Sequence, residues 1–170
     1  MNPSLRIAQN GIALLCLTLF LAAAALVAQQ ARPAVAAPAN LAMDLPDVVA
    51  EVKAAFDAYE KAVVTNNTAV LDSSFRDDPR TIRYGNAENL YGYPEIAAFR
   101  ARSTGAGPRT LSRTVITTYG RDFAVVSTLT HRTAAPGKVG RQMQTWVRFP
   151  QGWQVVAAHV STIDIPAGEK

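Results

Sequence analysis

Four runs of alternating residues close the chain, and their spacing leaves few folds open. Residues 110–119, 123–132, 139–149 and 153–163 each read as a strand. The breaks between them are short: Gly120-Arg121-Asp122, Ala135-Pro136-Gly137 and Pro150-Gln151-Gly152 carry the turn chemistry. Parallel neighbours need a crossover of a dozen or more residues, so these four are predicted to form an antiparallel meander.

Upstream of the meander the period changes. Over 44–67, Val49, Val52, Ala55, Phe56, Tyr59, Ala62 and Val63 recur at three- and four-residue steps, which predicts an amphipathic helix. Asp44 or Asp47 would cap it, and Pro46 fits only its first turn. Glu51, Lys53, Asp57, Glu60 and Lys61 fall largely outside the stripe. Asn66-Asn67 ends it. A short helix follows over 69–74, and Asp77-Asp78-Pro79 breaks the chain. Residues 81–84 read as a short strand and 90–93 as a turn or short bridge. Pro94 opens a third helix over 95–102, with Ile96 and Phe99 inward. Helices first and a meander after is an α+β pattern. A long bent sheet wrapped around three N-terminal helices makes a cone with a pocket inside. That is the nuclear transport factor 2-like architecture.

The chain has 170 residues, 49% hydrophobic and 18% charged, which suits one globular domain and excludes wholesale disorder. Its formal charge of +4 suggests a polyanion partner until it is located. Of 17 basic residues, Arg6 and Arg32 precede the first acidic residue, Asp44. Without those two, 15 basic residues face 13 acidic ones, and they are scattered. Nucleic-acid binding is not expected.

The N-terminal stretch reads as an address. A short polar start with Arg6 precedes an apolar run over 12–27, broken only by Thr18. A membrane-spanning helix wants about 20 such residues, and a signal-peptide core is shorter. Ala34-Val35-Ala36 fits small-x-small cleavage, so 1–36 is expected to be a signal peptide. An uncleaved membrane anchor and a start at Met43 are the alternatives. The expected location is periplasmic or secreted. Residues 37–43 read as a linker, 44–164 as the domain and 165–170 as a tail. Cys16, the only cysteine, lies in the apolar run. A mature chain without cysteine has no disulfide, thiol nucleophile or cysteine-based zinc site.

Chemistry-bearing residues are few. His131 and His159 are not at metal-ligand spacing, and there is no H-E-x-x-H, G-x-S-x-G or phosphate-cradling glycine loop. No metal or cofactor is expected. Tyr59 lies on the helix stripe, so its ring faces the core and its hydroxyl needs a partner there. It is a pocket residue or a core tyrosine bonded to a backbone carbonyl or water. Arg83 shares a strand face with Thr81 and either points into the cone, where it needs an anion, or pairs with Asp77, Asp78 or Glu88. His159 shares its face with Ala157 and Ser161, small neighbours that leave room for a pocket, or it is a satisfied core histidine. Gln142, Gln144 and Trp146 share one face of the preceding strand, suited to a polar pocket or a dimer surface.

Several stretches resemble the AtzH-like family, which includes proteins named for oxalurate catabolism. They are Asp77-Asp78-Pro79-Arg80-Thr81-Ile82-Arg83-Tyr84-Gly85, Glu88-Asn89-Leu90-Tyr91-Gly92 and Ile96-Ala97-Ala98-Phe99-Arg100. Two more are Gly140-Arg141-Gln142-Met143-Gln144-Thr145-Trp146-Val147-Arg148 and Gly152-Trp153-Gln154-Val155-Val156-Ala157-Ala158-His159-Val160-Ser161. The likeness runs from about residue 44 to 161. It implies the nuclear transport factor 2-like fold, a homodimer, and a metal-independent decarboxylating amidohydrolase that converts dicarboxyurea to allophanate. The family's important tyrosine and arginine match Tyr59 and Arg83 here. His159, Gln144 and Tyr91 follow as substrate-binding candidates from strand phase and motif position. Arg76 stands after Phe75 where the family usually has Trp, and Met143 where Ser is common.

Three functions compete. The first is an enzyme acting on a small carboxylate or N-carboxylated urea, with an arginine clamp and a tyrosine proton donor. It requires Tyr59 and Arg83 to face one cavity. The second is a non-catalytic exported dimeric module binding a small carboxylate or a partner enzyme. It survives if a protein carboxylate neutralises Arg83. The third, a steroid-isomerase-like proton shuttle, needs a pocket carboxylate, and no strand offers one.

Overall fold

The computed structural model describes residues 41–165. Three helices precede and interrupt a six-stranded sheet: α1 (Pro46–Thr65), α2 (Thr68–Ser73), β1 (Ile82–Tyr84), β2 (Asn89–Tyr91), α3 (Tyr93–Ala101), β3 (Thr110–Tyr119), β4 (Phe123–His131), β5 (Lys138–Phe149) and β6 (Gly152–Asp164). The expected signal segment lies outside the described residues.

The long amphipathic helix forms where the period placed it, but its cap differs. Neither Asp44 nor Asp47 caps α1: Leu45 is the N-cap residue and contributes no side-chain bond. The Asp44 carboxylate instead accepts the Thr118 N–H at 2.9 Å, tying the approach to α1 onto β3. Asp47 pairs with Arg121. At the other end Asn66 takes the left-handed conformation, φ 52°, and its N–H bonds the Ala62 carbonyl. Asn67 then caps α2, its side chain accepting from the Val70 N–H. Two consecutive asparagines thus end one helix and begin the next, the roles their short polar side chains favour.

The buried face of α1 also differs by a small rotation. Val48, not Val49, is fully buried, and Val48, Val52, Phe56 and Glu60 form one four-residue row into the interior. Glu60, expected outside, is 7% exposed. Its apolar members Val48, Val52 and Phe56 pack with Phe75, Ile96, Val126, Trp146 and Val155 into one core.

The sheet order is β2-β1-β6-β5-β4-β3. β3 to β6 form the expected antiparallel meander. The sheet as a whole is mixed, because β1 joins β6 in parallel, with Arg83 opposite Ala158 and Tyr84 opposite His159. β2 then closes antiparallel on β1. The short strand lies beside the last one because Phe75 bridges Val155 and backbone bonds join Ser74 and Arg76 to Val155. Backbone bonding of the segment after α2 to β6, not a local pattern, sets that pairing. Two register shifts bend the sheet, between Ser112 and Val115 in β3 and beside Val155 in β6. Arg113, at the first, has φ 51°.

Candidate functional site

The D-D-P motif aims the chain into the site. The Asp78 carboxylate accepts the Arg80 N–H at 2.9 Å and two guanidinium bonds at 2.8 Å. Those bonds hold Asp78 far below the ordinary carboxylate range. The Asp78 carbonyl accepts from Thr81 and from Tyr93 at the start of α3. One turn therefore fixes both β1 and α3. Thr81 is buried and bonds the Arg76 carbonyl, and Arg83 follows on the same face.

That face opens onto a cavity of about 260 Å3 between the helices and the inner side of the sheet. Tyr59 enters from α1, Arg83 from β1, Phe99 and Arg100 from α3, Gln142 from β5 and Val160 from β6. Glu88 comes from the β1–β2 turn, Arg109 from the loop before β3, and Arg132 from the residue after β4. Tyr59 and Arg83 therefore line one cavity.

Three of the four lining arginines already face a carboxylate. Arg83 Nη1 lies 2.5 Å from Glu88 Oε1, and its guanidinium sits 5.0 Å over the Phe99 ring. Arg100 lies 2.6 Å from Asp72 and 4.8 Å over Phe75. Arg109 donates two bonds to Glu60 Oε2, at 3.1 and 2.5 Å. Gln142 completes that group, donating to Glu60 Oε1 at 2.6 Å and accepting from Arg109 at 3.2 Å. Arg132 makes no ion pair among the described residues. Counting the carboxylates behind them, the wall holds four cations and three anions, so it favours a ligand carrying negative charge.

Tyr59 is 6% exposed, its ring edge-on to Trp146 at 6.1 Å and tilted to Phe75 at 6.2 Å. Burial pushes its hydroxyl above the ordinary tyrosine value, Glu60 adds to the rise, and Arg83, Arg109 and Arg100 oppose it. The hydroxyl therefore keeps its proton at neutral pH and is a donor.

The other candidates separate. Gln144 is buried on the inner face of β5, but its side chain does not reach the cavity wall, and neither amide atom has a partner among the described residues. His159 is exposed, on the opposite face of β6 from Ala158 and Val160. Its alternation was read rightly and its face wrongly. The shift beside Val155 resets the phase, so even-numbered residues after it turn inward. Tyr91 is 56% exposed and bonds the Tyr84 hydroxyl at 3.0 Å. Leu90 takes the inward position of that three-residue strand, which sends Tyr91 outward. Both residues lie outside the cavity.

Sequence reasoning missed Glu60, Arg109 and the cavity role of Glu88. The sequence signal for Glu60 was its place four residues after Phe56. Arg109, at the end of a Gly/Pro loop, gave none. The interior does hold carboxylates, although no strand supplies them: Glu60 comes from α1 and Glu88 from a turn, and both are ion-paired. Among the described residues no group of His, Cys, Asp or Glu is placed to hold a metal ion.

The family model described as AtzH-like matches residues 41–166. No curated protein matches the chain. Among solved structures, the chain is 53% identical to a protein of unknown function of the DUF3225 family from Pectobacterium atrosepticum SCRI1043. That match covers 75% of this chain and 98% of the other, with a TM-score of 0.69. A cystatin-like fold protein from Burkholderia xenovorans LB400 is 47% identical over 74% of this chain and 99% of its own, with a TM-score of 0.71. A nuclear transport factor 2-like superfamily protein from Salmonella enterica serovar Typhimurium LT2 is 23% identical over 73% and 97%, with a TM-score of 0.56. The fold is nuclear transport factor 2-like.

Proposed function

The chain belongs to the AtzH-like family, and from that premise we propose that it is a decarboxylating amidohydrolase of small N-carboxylated ureas, with dicarboxyurea as the model substrate and allophanate and carbon dioxide as the products. One observation carries the reading: Tyr59 and Arg83 line the same cavity. Arg83 would hold one substrate carboxylate through paired hydrogen bonds. The bond between the urea nitrogen and the other carboxyl carbon then breaks. Its electrons stay on nitrogen and the carboxyl leaves as carbon dioxide. The nitrogen takes a proton from Tyr59, and solvent returns one to the tyrosine. Burial keeps the Tyr59 hydroxyl protonated, so its proton is present when the leaving nitrogen becomes strongly basic.

A second reading has its own support. Glu88 neutralises Arg83 at 2.5 Å, the condition under which a non-catalytic module binding a small carboxylate remains viable. In either reading we place the protein outside the cytoplasm, on the signal-like segment at 1–36, and as a homodimer. The outer sheet face suits self-association, since Val115 and Met143 are 55% and 56% exposed there.

The test is turnover of dicarboxyurea to allophanate by the purified protein, with Tyr59→Phe and Arg83→Ala alongside. Activity lost in both folded variants supports the enzyme. A folded wild-type protein without turnover removes that substrate and leaves the binding module.

A further inference from the structure

The pair Arg83–Glu88 lies on the cavity wall. Glu88 arrives from the short turn between β1 and β2, closed by the bond from the Gly85 N–H to the Glu88 carbonyl at 2.8 Å. Its Oε1 lies on Arg83 and its Oε2 accepts the Ala87 N–H at 3.2 Å. Both side chains are about one-fifth exposed, 18% and 21%, and both line the cavity. The carboxylate therefore satisfies Arg83 from within the cavity lining and competes with a ligand carboxylate for the same guanidinium. Gly85 leaves room for that carboxylate. A Cβ there would sit 1.8 Å from Glu88 Oε1 and 2.2 Å from the carboxyl carbon. Gly85 lies outside the left-handed region, so its backbone does not itself demand glycine.

The other paired arginines are held differently. Glu60 is clamped by three bonds from Arg109 and Gln142 and has no freedom to leave. Arg100 is 9% exposed, and its partner Asp72 lies outside the cavity lining. Arg83 and Arg100 are each joined to a carboxylate by one bond, but of those two carboxylates only Glu88, carried on a surface turn, lines the cavity.

We infer that Glu88 is the specificity-determining residue of the Arg83 subsite, an internal carboxylate that a ligand's carboxylate must replace. This rests on the reading of Arg83 as a carboxylate clamp. An uncharged urea or amide gains nothing from the exchange, because it would leave Arg83 without an anion. A ligand carboxylate restores the ion pair as Glu88 swings into water. The exchange lowers apparent affinity by the fraction of time Arg83 is free. Occupancy by Glu88 for about four-fifths of the time would weaken binding about fivefold.

Malonate, a stable small dicarboxylate, is the probe, with binding to the purified protein followed by calorimetry. Glu88→Gln keeps the shape and removes the charge. Gly85→Ala leaves Glu88 in the sequence and pushes its carboxylate off Arg83. Both are expected to bind malonate at least about fivefold more tightly than wild type, and Arg83→Gln to lose binding. In turnover, Glu88→Gln is expected to lower KM more than it changes kcat. Malonate binding that needs Arg83 but is unchanged or weaker in both Glu88→Gln and Gly85→Ala overturns the inference and leaves the clamp standing. Binding indifferent to Arg83→Gln, or no binding in any folded form, overturns the clamp and the inference together.

Discussion

Tyr59 and Arg83 differ in what their removal should do. Tyr59→Phe keeps the ring against Trp146 and Phe75 and deletes only the donor. In the enzyme reading kcat should fall about 100-fold or more with KM little changed. Arg83→Ala should raise KM as well, since it removes a ground-state contact. The raised Tyr59 value carries a stability consequence of definite sign. The folded state holds that proton more tightly than the unfolded chain does. The contribution is complete below the unfolded value near 10, and is lost as pH rises through the higher folded value. Urea midpoints measured from pH 8 to 11 should therefore fall more steeply in wild type than in Tyr59→Phe. Parallel curves would mean that the hydroxyl is not buried. Both residues were legible as candidates because each is a polar group in an apolar pattern, on the helix stripe or bracketed by β-formers.

Helix α1 does two jobs with one face. Its lower turns bury Val48, Val52 and Phe56, and its upper turns present Tyr59 and Glu60 to the site. Phe56 is 2% exposed, so Phe56→Ala should cost about 3–5 kcal/mol in denaturant unfolding. A loss well under 1 kcal/mol would put Phe56 outside the core. Glu60→Gln tests the other end of the row. Breaking a buried ion pair from one side strands the partner charge and typically costs about 3–5 kcal/mol. The amide can still receive one bond from Arg109, so the lower end is expected, read as a shift in the unfolding midpoint. The apolar positions of α1 were readable from their spacing. Glu60 was not, because a charged residue at a stripe edge is normally solvated, and only Arg109 and Gln142 make its burial tolerable.

At the scale of the whole molecule, the bent sheet separates two surfaces. The inner face carries Gln142, Gln144 and Trp146, and the outer face carries Met143, Thr145 and His159. If the outer face joins two copies, Met143→Asp should shift the protein toward monomer in light scattering, leaving the cavity residues untouched. An unchanged mass would exclude Met143 from a dimer contact. Strand phase alone gave the partition of residues between the faces. It did not give which side of β6 lies over the helices, because the register shift beside Val155 reverses the phase within the strand.

The order of elements, the meander and the buried stripe of α1 followed from the sequence. They depend on periodicity and turn chemistry, which act over a few residues. The pattern of α1 picked out Tyr59, the strand pattern of residues 81–84 picked out Arg83, and the family resemblance matched both. What only the tertiary structure decided are contacts between segments far apart in the chain. These include the parallel seat of β1 on β6, and the pairing of Glu60 with Arg109 and Gln142, 49 and 82 residues away. The exclusion of His159 and Tyr91 from the cavity belongs with them. Local propensity carries no record of such partners, because each side chain's place is set by what the rest of the fold brings against it.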